Sequence, residues 1–239
     1  LKERPPSFWE LAVQATTNTR QGYNLLAARF DLTDYATPTH LIEACRARVD
    51  LLYPVARCDA TGADLACGTG RGCLVLARSC ADVDGYDFSP RMLEVAQKQA
   101  TGAAFRFVET DLATVDLPAG RYDRIVTFGA WGHIMPEWRE RLIRQIWAAL
   151  KPGGVFYTIT ADPSGPWDSG WWRATFFDAA IKARNCLLGD PFHMYYLLND
   201  TLTVKRLCES AGPCEVRLEP VPRTPHPRLT LLMVRRCSQ

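Results

Sequence analysis

The chain has 239 residues, 47% of them hydrophobic and 23% charged, and a formal net charge of +2. That suits one α/β domain with an insertion, with enough chain to bury a sizeable core. It supplies no field favouring nucleic acid or an anionic membrane, and the chain has no run of five like charges and no apolar run of transmembrane length. Residues 1–10 carry Pro5, Pro6 and charges, which is not the pattern of a signal peptide. The nine cysteines form no C-x-x-C pair. Neither a disulfide framework nor a metal site is expected, and the cytoplasm, being reducing, is the simplest setting.

Residues 8–30 read as a helix, with Phe8, Trp9, Leu11, Tyr23, Leu26 and Phe30 among its apolar positions and Gly22 as an interruption. A polar and aromatic connection, residues 31–37, leads to a second helix. Thr37 is its expected N-cap, Pro38 its first residue, and Leu41, Cys45, Val49 and Leu52 its apolar stripe as far as Pro54. Apolar residues then run into Asp64-Leu65-Ala66-Cys67-Gly68-Thr69-Gly70-Arg71, followed by the helix-like run Leu74, Val75, Leu76 and Ala77. This is a strand, a tight glycine turn and a helix. Glycines at 68 and 70 allow positive φ and let a ligand lie against the backbone. The helix aims free N–H groups at whatever covers the turn. The dinucleotide pattern G-x-G-x-x-G fails, because its third glycine falls on Cys73 or Val75. Cys67 reads as a small packing residue of the turn rather than a nucleophile.

Residues 83–87 form the next strand, ending in the carboxylate of Asp87. Ser89 caps the following helix, Pro90 opens it, and Met92, Val95 and Ala96 make its apolar side. An acid at the end of that strand can accept both hydroxyls of a ribose. Residues 105–109 alternate as a third strand, followed by Thr110-Asp111-Leu112. A fourth, residues 122–129, opens into Ala130-Trp131-Gly132-His133-Ile134. A helix through Trp138, Leu142, Ile146 and Ala149 ends at Leu150, and Lys151-Pro152-Gly153-Gly154 leads into a fifth strand, residues 155–160. Over 162–200 the pattern changes. Prolines and glycines break it, while Trp167, Trp171, Trp172, Phe176 and Phe177, then Phe192, His193, Met194 and Tyr195, crowd together as a largely helical insertion. A last helix, residues 202–211, stops at Gly212-Pro213, and strands at 216–221 and 229–234 close the chain.

Two of these stretches carry a family resemblance. Residues 64–70 resemble the first motif of class I S-adenosylmethionine-dependent methyltransferases, Asp/Glu-x-Gly-x-Gly-x-Gly, with Ala66 in place of the first glycine. The run Gly85-Tyr86-Asp87-Phe88-Ser89-Pro90-Arg91-Met92-Leu93 resembles the second motif. The likeness is strong over residues 62–160 and rests elsewhere on the order of elements. It implies an α/β, Rossmann-like fold: a mostly parallel seven-stranded sheet with an antiparallel last strand, N-terminal helices and a helical insertion. It also implies one domain, with a helical cover at 1–56, a cofactor-binding core at 57–161, the aromatic insertion at 162–200, and the last helix and closing strands at 201–239.

The implied cofactor is S-adenosyl-L-methionine. The implied binding residues are Tyr23, Asp64, Ala66, Cys67, Gly68, Gly70, Asp87, Phe88, Met92, Asp111, Leu112 and Phe128, with Asp87 on the ribose, Asp111 at the adenine amino group and Leu112 against the ring. Tyr23, Phe30 and Tyr35 are candidates for the N-terminal cover.

His133 follows the fourth strand in a loop resembling that of small-molecule methyltransferases, which makes it the candidate catalytic base or orienter. Trp131, His133, Trp171, Trp172 and Tyr195 are the candidate acceptor contacts, His193 is a second histidine of interest, and His40 and His226 read as surface residues. The fourth-strand loop lacks both Asn/Asp-Pro-Pro-Tyr/Phe and Pro-Cys, and no basic stripe is present. The expected reaction is therefore methyl transfer to O, N or C of a small, partly apolar molecule, with no nucleic acid or membrane partner and a homodimer compatible with the aromatic insertion. A nucleic-acid methyltransferase and an atypical or non-catalytic user of an S-adenosyl cofactor stay open as alternatives.

Overall fold

The computed structural model describes residues 16–33, 36–101, 103–161, 169–189, 191–195, 201–224 and 229–237. Residues 8–15 of the first expected helix, Tyr35, Trp167 and His226 lie outside them. One seven-stranded sheet organises the chain. Its strands are β1 (Thr61–Leu65), β2 (Asp82–Asp87), β3 (Ala104–Glu109), β4 (Tyr122–Thr127), β5 (Leu150–Ala161), β6 (Cys214–Pro220) and β7 (Leu229–Arg236), in the order β3-β2-β1-β4-β5-β7-β6. β7 runs antiparallel to both β5 and β6, and the other pairings are parallel. This is the expected mostly parallel sheet with its antiparallel last strand.

Helices cover both faces, so successive residues of the central strands enter different cores. On one face Ala63, Ile125, Phe156 and Leu232 pack with Leu142, Ile143 and Val204. These last three belong to α5 (Pro136–Ala149) and α7 (Thr201–Ala211). On the other face Val83, Val126, Tyr157 and Met233 pack with Leu41, Cys45, Val49 and Leu76, from α2 (Thr39–Leu52) and α3 (Arg71–Leu76). Residues that alternate across the pleat read as one continuous apolar run because both faces are buried.

Several boundaries differ from the sequence reading. Helix α1 (Thr19–Leu26) begins at Asn18, whose side chain accepts from the Gln21 N–H, and it passes through Gly22 without interruption. A Cβ on Gly22 would lie 2.9 Å from the ring of Phe192, so the glycine makes room for the insertion rather than ending the helix. A 3-10 helix, Ala27–Leu32, continues from α1. Helix α2 takes Pro38, not Thr37, as its N-cap, without a side-chain cap bond. Strand β5 starts at Leu150, paired with Tyr122, and the register shifts between Tyr122 and Arg124. Lys151-Pro152-Gly153-Gly154 is therefore a bulged start of the strand rather than a lead into it, a setting that tolerates proline.

Ser89 does cap α4 (Pro90–Gln99), accepting from the Met92 N–H. The insertion contains α6 (Ser169–Leu187) and a short strap, residues 191–195. Asn185 of α6 holds that strap: Phe192 N–H donates to its Oδ1 at 2.9 Å, and its Nδ2 donates to the Phe192 carbonyl at 3.0 Å. Among the described residues no helix is long and apolar enough to cross a membrane.

Candidate active site

Strand order reverses between β1 and β4, and ligands of open α/β sheets bind outside the carboxyl ends at such a point. A cavity of about 560 Å³ opens there, within the range of small-molecule sites, roughly 300–1,000 Å³.

Its floor is the glycine turn. Ala66, where the family pattern has glycine, sits at φ 60°, a left-handed conformation that costs a residue with a Cβ about 1–2 kcal/mol. Gly68 lines the cavity, and its N–H donates to Asp87 Oδ2 at 2.9 Å. Gly70 does not line it. At φ 88° it begins α3, and a Cβ there would press on Ala96 at 3.0 Å, so its role is to let α3 approach α4. Gly72 was not singled out in the sequence, yet a Cβ there would fall 2.2 Å from Asp64 Oδ2. Its missing side chain is the space in which the Asp64 carboxylate lies.

Asp64 and Asp87 are both buried and both line the cavity. Asp64 has the thiol of Cys73 as a partner, at 3.6 Å. Burial, with Asp87 nearby, pushes its carboxyl up to about 7. Asp87 accepts from Gly68 N–H and, through Oδ1, from Ser89 N–H at 2.9 Å. Burial pushes it up to about 6 against those donors. Two buried acids that, among the described residues, have neither an arginine nor a lysine against them make a cradle suited to a ligand carrying an ammonium and hydroxyl donors. Met92, Phe88, Leu112 and Phe128 supply the apolar walls, and Asp111 stands at the rim with Oδ1 accepting from Ala113 N–H. Cys67 also lines the cavity, with its thiol pushed well up chiefly by a hydrogen bond with Cys73 and by burial.

The N-terminal segment covers this floor. Tyr23 and Phe30 line the cavity, and Asp31 ties the segment down, accepting from Thr69 Oγ1 at 2.6 Å and pairing with Arg71 at 2.9 Å. Tyr23 Oη lies 2.7 Å from His133 Nε2. On its other side His133 Nδ1 meets the His193 carbonyl, which can only accept, so Nδ1 carries the proton. Nε2 is then the bare nitrogen, and Tyr23 donates to it. Burial holds the imidazole down near 4.

The strap positions this pair. Thr19 Oγ1 accepts from His193 N–H at 2.7 Å, and Tyr195 N–H donates to the Gly132 carbonyl at 2.8 Å, joining α1 to the turn Trp131–His133. Buried Arg139 fixes that turn from beneath, donating to the carbonyls of Trp131 and Ile134 at 2.9 Å each.

Four expected acceptor contacts are not on the cavity wall. Trp131 is a core residue, 1% exposed, whose indole N–H donates to Thr158 Oγ1. Trp171 and Trp172 stack edge-to-face on α6, away from the cavity. Tyr195 is buried beside Ile181 and Phe192, and its main chain rather than its ring serves the site. Trp138 and His193 occupy the place assigned to them, at the end of the cavity nearest the strap. Trp138 reads in sequence as a core position of α5, and nothing in its spacing marks it as half-lining a cavity.

The fold is shared with solved S-adenosylmethionine-dependent methyltransferases. Residues 63–154 match the methyltransferase domain family. A demethylmenaquinone methyltransferase of Thermus thermophilus is 28% identical over 143 residues, 58% of this chain and 64% of that protein. The chain thus spans less than two thirds of that relative's length. An S-adenosylmethionine-dependent methyltransferase from Methanosarcina mazei shares the fold with a TM-score of 0.60 at 18% identity, over 79% of this chain and 98% of its own. Human N-acetylserotonin methyltransferase, solved with its S-adenosyl cofactor, does so with a TM-score of 0.56 at 15% identity, over 83% of this chain and 52% of its own.

Proposed function

We propose that the chain transfers a methyl group from S-adenosylmethionine to a small, partly apolar acceptor. The observation that carries this reading is the pair of buried carboxylates at the ends of β1 and β2, Asp64 and Asp87, beside a left-handed glycine turn and, among the described residues, with no cation against them. In it Asp64 meets the cofactor's ammonium, Asp87 its ribose hydroxyls, and Met92, Phe88 and Leu112 its base, with Asp111 at the base's exocyclic amine. When bound, the cofactor supplies an electrophilic methyl group.

The protein's share is orientation, which can be worth ~7–11 kcal/mol, and management of a proton. His133, neutral through the physiological range, keeps the Tyr23 hydroxyl proton on itself. A proton lost by the acceptor would pass to the Tyr23 oxygen as the Tyr23 proton passes to His133 Nε2. An imidazole held near 4 is a weak base, so orienting Tyr23 is its larger role. The Thermus relative's name supports a small-molecule acceptor. Calorimetry with S-adenosylhomocysteine and with NAD tests the reading: binding of NAD, and none of the S-adenosyl compound, would sink it.

A further inference from the structure

The strap, residues 191–195, belongs to no strand, yet its main chain is bonded nearly residue by residue. Buried backbone without a sheet ladder has to find such partners elsewhere. Thr19 N–H donates to the Pro191 carbonyl at 3.3 Å, His193 N–H donates to Thr19 Oγ1, and Tyr195 N–H donates to the Gly132 carbonyl. The strap therefore lies between the cover helix and the His133 turn. Both give way to it at a glycine. A Cβ on Gly22 would meet the Phe192 ring, and one on Gly132 would meet the Tyr195 carbonyl oxygen, each at 2.9 Å.

Asn185 grips the strap from its third side, on α6. Its Oδ1 accepts from Phe192 N–H and from the Arg184 guanidinium, at 2.9 Å each. Its Nδ2 donates to the Phe192 carbonyl at 3.0 Å and to the Tyr195 hydroxyl at 3.2 Å. An asparagine amide has two acceptor sites and two donors, so every one is used and the partners fix which way the amide points. A carboxylate in its place could keep the accepting side but not the donating side. Asn185 does not line the cavity. It reaches the cavity through its neighbour in the strap, because Phe192 precedes His193, whose carbonyl meets His133 Nδ1.

Resting on the methyl-transfer reading of this cavity, we infer that Asn185 is a positioning residue: by holding the peptide groups on both sides of Phe192 it places the His193 carbonyl, which keeps the His133 proton on Nδ1 and leaves Nε2 to the Tyr23 hydroxyl. The insertion then serves the site as a scaffold for the strap. The groups that bear on the His133 ring are the Tyr23 hydroxyl from α1, the His193 carbonyl and imidazole from the strap, and Arg139 of α5 beneath its own turn. The strap's two are the ones Asn185 controls.

The test is nuclear magnetic resonance of protein labelled with nitrogen-15 histidine, without ligand, the His133 signals being assigned from a His133→Gln sample. In the unaltered protein Nδ1 should carry the proton throughout the range from about pH 5.5 to 8. Asn185→Ala and Asn185→Asp should let the imidazole exchange between tautomers and titrate at about 5.5 or above, toward the ordinary histidine value. S-adenosylhomocysteine affinity should stay within about two-fold, since the cofactor floor is untouched. Ile181→Val thins the apolar cluster around Phe192 and Tyr195 but keeps the amide. It should lower Tm and leave the His133 titration where it is. An unaltered protein with the His133 proton on Nε2 would overturn the inference, and that result needs no variant to fold. So would a folded Asn185 variant whose His133 signals do not move, or an Ile181→Val protein that moves them as far. Failure of S-adenosylhomocysteine to bind the unaltered protein would instead overturn the methyl-transfer reading, and the histidine titration is read separately from it.

Discussion

The hydroxyl of Tyr23 lies 2.7 Å from Nε2 of His133, on a cover helix and a loop 110 residues apart in the chain. The His193 carbonyl holds the opposite nitrogen, so the direction of the hydrogen bond is decided by geometry. Removing the hydroxyl alone therefore tests the pair. Tyr23→Phe keeps the ring contacts with Phe30 and Phe88. It should leave cofactor affinity within about three-fold while lowering kcat by roughly ten- to hundred-fold, at the low end of general acid–base effects. Steady-state kinetics beside S-adenosylhomocysteine titration separates the two. Because His133 is held near 4, its titration should put no inflection into the kcat profile between about pH 5.5 and 8.

Asp87 is the proposed partner of the cofactor's ribose. Hydrogen bonds to a charged group are worth ~1.5–3 kcal/mol, so Asp87→Ala should weaken S-adenosylhomocysteine binding by roughly ten- to hundred-fold. The carboxyl titrates at about 6 in the empty site, and the hydroxyl donors of the ligand favour its ionised form. Affinity should therefore fall as pH drops, first below about 7 with Asp64 and again below about 6 with Asp87, and Asp87→Asn should lose only the second step. A dissociation constant that does not change with pH in this range would place the ribose elsewhere.

The raised acids also make stability depend on pH. An aspartate titrates near 4 in an unfolded chain, whereas Asp64 does so at about 7 in the fold. Between those values the folded state binds the extra proton, so this contribution is fully present below about pH 4 and is lost as pH rises through 7. Asp64→Asn removes the ionisation. Without ligand, its Tm should match the parent near pH 4 and exceed it at pH 8, and S-adenosylhomocysteine should raise its Tm less than the parent's. A Tm difference that stays constant from pH 5 to 8 would contradict the account.

Gly72 guards the same carboxylate. A methyl group 2.2 Å from Asp64 Oδ2 cannot be accommodated in place. Gly72→Ala should destabilise the fold by ~1–3 kcal/mol, as overpacking does, and expel Asp64 from its position. Denaturant unfolding gives the first effect, and loss of S-adenosylhomocysteine binding in the fraction that folds gives the second.

The two tryptophan sites should part company. Trp172 is half-exposed on α6 and Trp138 lines the cavity. Trp172→Ala should leave the acceptor KM within about two-fold, while Trp138→Ala should raise it with a smaller change in kcat, as when binding shared by ground and transition states is removed. The reverse pattern in steady-state kinetics would return the acceptor to the α6 aromatics.

The glycine-turn floor of the cavity was legible in the residues themselves because it is local. A strand, a turn and a helix are contiguous, so the Asp64, Gly68 and Asp87 positions follow from spacing and from the left-handed backbone the turn demands. The sheet was legible for a similar reason, since strands buried on both faces and separated by helices admit few topologies. The strap end of the cavity was not, because segments far apart in sequence build it. Composition put Trp171, Trp172 and Tyr195 there, but periodicity cannot say which face of a helix in an insertion meets the site. Only the tertiary structure brought the His193 carbonyl to His133, Thr19 to the strap and Tyr23 to the imidazole. Local sequence determines a backbone turn, whereas pairing across 60 or 110 residues is decided by how the helices and strap pack on the sheet.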